Sequence, residues 1–223
     1  MALWQSIPFA CILLPLGSAA ITSVLSKRWA RYWTMFVLCC LVTLSAIFVV
    51  KMQGFSGSYT YMMGHYSAPW GNEIRIGPLE ALLCTLFSIV LMLSALGGMY
   101  RLKRQVDPNK ENIVCVMLDL VLAGTLSMLY TNDLFTAYVF LEIMTLAACS
   151  LIAARNRGRT LVAATRYMIM NLLGSGMFLL GITLLYDLSG HLLMSNIKEA
   201  IAHIVTTGQY KMPLTVVIAL MSI

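Results

Sequence analysis

The stretch TNDLFTAYVFLEIMTLAACSLIAARNRGR, residues 131–159, decides how this chain is read. Residues 133–153 form an apolar run about as long as the ~20 residues needed to cross a hydrocarbon core, and Arg155, Arg157 and Arg159 close it. One acid, Glu142, interrupts the run. Counted from Asp133 it lies nine residues into the helix, roughly 14 Å at a rise of 1.5 Å per residue, near the middle of a ~30 Å core. A charge at that depth costs about 2.5–3.5 kcal/mol on insertion scales. Something must offset that cost.

The rest of the chain repeats the pattern of apolar run and short polar connection. The 223 residues are 60% hydrophobic and 11% charged, with a mean hydropathy of +0.83, whereas about a quarter of residues are charged in a soluble domain. Apolar runs at about 7–25, 32–50, 78–100, 112–130, 133–153 and 161–186 predict six spans, and a seventh opens at Pro213 and is incomplete at 223. The first run lacks a basic n-region and an A-x-A-like cleavage site, so it reads as a retained helix. The predicted fold is an all-α polytopic transmembrane bundle, one domain over 1–223.

The formal charge of +6 reports topology, with no extended basic patch of the kind that binds nucleic acid. Three alternate connections carry Lys27, Arg28 and Arg31, then Arg101, Lys103, Arg104 and Lys110, then Arg155, Arg157 and Arg159, ten of the fifteen basic residues. The opposite connections carry Lys51, Arg75, Lys198 and Lys211, and Arg166 lies within a run. By the positive-inside rule the N-terminus is expected outside the cytoplasm of a cell (inner) membrane. On that outer side, residues 55–77 read as a surface hairpin turning at Pro69, Gly71 and Asn72, with Trp70 at the interface. Residues 195–206 read as a short surface helix capped by Asn196 with Glu199. His65, His191 and His203 fall in these segments as surface residues. The six cysteines sit in apolar runs without CxxC spacing and read as buried small residues. Glu80 and Asp133 are placed to favour helix N-termini.

On the helical stripe of Glu142 stand Tyr138, Thr145 and Cys149, all able to hydrogen-bond, while Val139, Leu141, Ile143 and Ala147 are expected to meet lipid. Such a polar line suits a bundle interior with some water, where Glu142 either takes up and releases protons or, neutral, bonds a neighbouring helix. Two further charges lie within spans. Arg166 either approaches Glu142 from the cytoplasmic half or snorkels to the headgroups. Asp119 serves either a structural hydrogen bond or transport.

These residues carry a resemblance. The segment NDLFTAYVFLEIMTLAACSLIA, followed by AATRYMIMNLLGSGMFLLGITLLYDLSG and preceded by YMMGHYSAPWGNEIRIGPLEALL, resembles the antiporter-like membrane subunits shared by Mrp cation/proton antiporters, respiratory complex I and membrane-bound hydrogenases. The likeness runs over about 57–205. It implies the opening three helices and most of the first of two inverted five-helix repeats, either as the N-terminal part of a protein roughly twice as long or as a split version completed by another subunit. It also implies a proton path through Glu142, with Arg166 before Tyr167 where the family usually has lysine, and with Asp119, Tyr138 and Thr145 as further candidates. The implied partners are other membrane subunits of a multi-subunit complex, the bilayer, protons, and Na⁺ or another monovalent cation. No GxGxxG after a strand, P-loop or HExxH is present, so no cofactor or catalytic chemistry is expected of the chain itself, although its complex can be a proton-pumping NADH:quinone oxidoreductase or a hydrogenase. The GSG at 174–176, with Gly181, is read as close helix packing. The alternative function is a non-transporting scaffold of the same kind of complex.

Overall fold

The computed structural model describes residues 6–52, 57–62, 73–106, 110–155, 157–207 and 211–222. Among these described residues, eight helices and two short strands follow one another: α1 (Ile7–Val24), α2 (Lys27–Met52), β1 (Tyr59–Met62), β2 (Glu73–Ile76), α3 (Pro78–Gln105), α4 (Glu111–Tyr130), α5 (Leu134–Ala153), α6 (Gly158–Ser189), α7 (Met194–Thr207) and α8 (Lys211–Ser222). Six of them, α1 to α6, are long and apolar enough to span a bilayer; α8 is apolar but shorter. Helices are the natural form for such runs, because a helix satisfies its own backbone hydrogen bonds where no water is available.

Half of the α4 span is buried, a larger share than in the other five. It is the central helix of a first group, packed with α1, α2 and α3 around Cys11, Leu38, Leu41, Phe48, Cys84, Leu122, Leu126 and Tyr130. A second, looser group joins α6, α7 and α8 through Leu185, Ile197 and Val217. Helix α5 lies between the two. It comes close to α4 at Gly124, where a Cβ would stand 2.9 Å from the Met144 Cβ and 3.0 Å from the Phe140 carbonyl oxygen. Gly124→Ala is therefore expected to overpack this crossing and to cost about 1–3 kcal/mol, read as a lower denaturation midpoint in detergent.

The two ends of the bundle are tied differently. At one end, the Asn132 N–H donates to the Glu73 carbonyl at 2.9 Å, the Leu134 N–H to Leu192 at 3.0 Å and the Met194 N–H to Asn132 at 2.8 Å. These bonds knit β2, the α4–α5 link and the α6–α7 link together. At the other end, Arg31 pairs with Glu111, and the Asn112 Nδ2 donates to the Leu25 carbonyl at 2.6 Å. The connections alternate between ends as the basic-residue count requires, with Arg31 at one end and the strands at the other.

β1 and β2 pair antiparallel, Tyr59 opposite Ile76 and Tyr61 opposite Ile74. Alternation buries Ile74 and Ile76 and turns Arg75 outward, while the Tyr61 ring sits 6.2 Å from Phe9 at the start of α1. The turn read at Pro69, Gly71 and Asn72, with His65 and Trp70, lies outside the described residues. Burial pushes the Tyr59 phenol from its ordinary 10 up to about 12. The stability that goes with its neutral form is complete below pH ~10 and is lost as pH rises toward 12, so an alkaline titration should show Tyr59 ionising late, at the same pH at which the strands loosen.

Three expectations need correction. Asn196 does not cap α7: the helix begins at Met194 and the Ile197 N–H already bonds the Leu193 carbonyl, so Asn196 lies within the first turn. Gly174 and Gly176 are not at a helix crossing, since a Cβ on either meets nothing within 4 Å; only Gly181 is close-packed, against Met221 of α8. Cys39 is exposed, whereas Cys11, Cys84 and Cys115 are buried.

Candidate functional site

Asp133 sets the register of α5 as its N-cap, its Oδ1 accepting the Thr136 N–H at 2.7 Å. Glu142 then falls mid-span and half-buried, and its Oε1 is buried with no hydrogen-bond partner. On either side of it the stripe meets α6. One turn before, the Tyr138 ring lies 6.5 Å from Phe178; two turns after, the Cys149 thiol donates to the Ala164 carbonyl at 3.4 Å. Glu142 thus lies along the α5–α6 seam.

Thr145 is buried as well, but its hydroxyl donates to the backbone carbonyl of Glu142 at 3.0 Å. It is occupied by its own helix. The face expected to meet lipid is only partly exposed: Val139 is open, yet Ala147 is 1% exposed and packed inside. The open edge runs through Phe135, Val139 and Leu146, next to Glu142. The reason is that α4 covers the side of α5 around Phe140 and Met144, which carries Ala147 inward.

The expected approach of Arg166 to Glu142 is not made. Arg166 is exposed and lines an open cleft of about 600 Å³ with Gly158, Arg159, Val162 and Ala163, and among the described residues no ion pair joins the two. Ala164 faces α5, and two residues of helix turn Arg166 about 200° from it. Arg166 therefore points away from the α5 side of α6.

Asp119 stands apart from this seam. It is 1% exposed and accepts hydrogen bonds on Oδ2 from Ser18 at 2.7 Å and from Thr22 at 3.4 Å, both on α1. Thr34 of α2 lies against the same carboxyl group. Gly124, at the α5 crossing, is five residues on and so about 140° round the helix. Glu142 and Asp119 therefore occupy opposite sides of α4.

Comparison with known proteins agrees with this architecture. Residues 131–222 match the family described as NADH:quinone oxidoreductase/Mrp antiporter, transmembrane region. The chain is 31% identical over 197 residues to NADH-quinone oxidoreductase subunit N of Desulforudis audaxviator, covering 86% of this chain and 38% of that protein. It is 26% identical over 199 residues to a subunit of the Na(+)/H(+) antiporter of Bacillus subtilis, covering 88% and 40%. Residues 131–222 thus carry that family's transmembrane domain, and the chain is similar to antiporter-like membrane subunits. A chain of the membrane-bound sulfane sulfur reductase, an archaeal respiratory membrane complex, has the same fold, with a TM-score of 0.84 at 23% identity over 97% of this chain and 43% of that one. The antiporter-like chain thus spans about two fifths of the length of the relatives it matches.

Two polar features of this antiporter-like chain were not singled out from its sequence. One is the Arg31–Glu111 pair; the other is the group of hydroxyls around Asp119. A signal for the second was present, because Ser18 and Thr22 are one turn apart in a mostly apolar α1 whose other hydroxyl is Ser23.

Proposed function

We propose that the chain is the part of a proton-translocating, cation/proton-antiporting membrane subunit that carries one protonation step at Glu142. A carboxyl oxygen that is buried at mid-span and unpartnered supports this reading most directly. A glutamate kept only to tie two helices together would be expected to use that oxygen in a bond. An unpaired one has capacity for a proton and is costly to leave ionised in a low-dielectric setting. Tyr138 flanks it on the stripe facing α6, and Arg166 supplies a positive charge on the basic side, about two turns away, without touching it. Arginine stays protonated, so its role is to bias the energy of a negative charge along the route.

In this reading the basic end faces the cytoplasm and the N-terminus lies outside. The helices are the opening three and most of the first inverted repeat. Other membrane subunits complete the complex, and Na⁺ or another monovalent cation is exchanged for protons. The test is proton translocation by the assembled complex in sealed vesicles with Glu142→Gln. A scaffold would pass that test unchanged, with ΔpH formation at the level of the unaltered complex.

A further inference from the structure

A cavity of about 400 Å³ opens where α6, α7 and α8 meet the start of α5, at the end of the bundle that carries the strands. Its floor is apolar and closely packed: Leu185 of α6 is 6% exposed and Val217 of α8 2%. One wall is a single stripe of α7, formed by Met194, Ile197, Lys198 and Ile201 at positions i, i+3, i+4 and i+7. Among the described residues Lys198 is the one charged group on that lining.

A lysine on this stripe is out of pattern. An amphipathic helix keeps its charges on the face turned from the apolar stripe, as Glu199 and His203 are, about 100° and 140° further round α7. The first turn of α7 also carries no acid, so the positive end of its dipole has no negative group beside it there. Lys198, the fifth residue of the helix, adds a second positive charge near that end, and among the described residues no ion pair includes it. A bound anion would offset both.

We propose that the cavity takes one acyl chain of an anionic phospholipid, whose phosphate sits against the Lys198 ammonium. Lysine lays its methylene stem along an apolar wall while its ammonium stays among the headgroups, and a helix with the pattern of α7 lies in that same layer. The acyl chain then runs down onto Leu185 and Val217. A partner's helix suits the space poorly: a helix 10–12 Å across that rises 5.4 Å per turn fills roughly 400–600 Å³ per turn, so the cavity would seat about one turn of it. The site rests on the multi-pass reading of the chain and uses no residue of the proton route, so it stands or falls apart from Glu142.

Photolabelling tests it. The full chain is placed in nanodiscs of phosphatidylcholine doped with a trace of either phosphatidylglycerol or phosphatidylcholine that carries a diazirine on its acyl chain, and the adducts are mapped by peptide mass spectrometry. The expected adducts lie around Leu185 and Val217, about fivefold more abundant with the anionic lipid, the preference that one lysine at the membrane surface provides. Lys198→Gln should bring phosphatidylglycerol down to the level of phosphatidylcholine, and Lys198→Arg should keep the preference. Ile201→Trp, which fills the cavity, should remove the adducts with both lipids. Equal labelling by the two lipids, or a preference that survives Lys198→Gln, would overturn the proposal. So would a cavity wall without adducts, the result expected if another protein segment covers it. If Ile201→Trp does not fold, the two Lys198 variants decide, since that side chain is exposed and replacing it leaves the packed floor intact.

Discussion

Glu142→Gln is expected to lower proton translocation by the assembled complex at least tenfold, equivalent to ~1.4 kcal/mol or more on the limiting barrier, while the complex still assembles. Glutamine keeps the size and polarity of the side chain but cannot release a proton, so a route that passes through the carboxyl is interrupted. Glu142→Asp keeps the titrating group and withdraws it by one methylene toward α5; it should fall between the two. Leu146→Ala, on the open edge one turn away, changes bulk without changing charge and should translocate normally. The measurement is the initial rate of acidification in sealed vesicles, with subunit content checked on the same preparation. If Glu142→Gln translocates like the unaltered complex, the route does not run through this residue and the scaffold reading takes its place.

The second large effect is on stability. Arg31 and Glu111, with side chains 23% and 16% exposed, join α2 to α4 at the basic end. Truncating one member leaves the other charged and mostly desolvated, so Arg31→Met or Glu111→Met should each cost about 2–4 kcal/mol, somewhat below the 3–5 kcal/mol typical of fully buried pairs because water still reaches this one. The double variant should recover much of the loss, since it strands no charge. A double-mutant cycle on the denaturation midpoint reads the coupling directly. Additive losses would show that the pair is solvated well enough to contribute little.

Much of the architecture was legible before any coordinates, and the particular residues show why. The run from Asp133 to Ala153 could be seen to span because length and hydropathy are properties of contiguous residues, and Asp133 could be placed at the helix start because capping acts over three positions. Which ends share a side was readable from Arg31, Lys110 and Arg155, since connections of a threaded chain must alternate. Ala147 could not be placed correctly. Nearly every face of α5 is apolar, so periodicity does not say which one a neighbour covers; that is set by α4 approaching through Gly124. The glycines at 174 and 176 illustrate the same ambiguity, because a small residue permits close packing without requiring it.

The amino-acid order alone determined a multi-pass helical membrane chain, its alternation of ends and the place of Glu142 midway along α5, because each depends on local composition and a fixed rise per residue. Tertiary packing decided the rest. The partners of Asp119 come from 97 and 101 positions away and that of Arg31 from 80. Arg166 was turned away from Glu142, and one glutamate oxygen was left buried and unpaired. Those outcomes depend on which helix faces which, and the energy of a buried polar group is set by whatever atom lies opposite it, not by its neighbours in the chain.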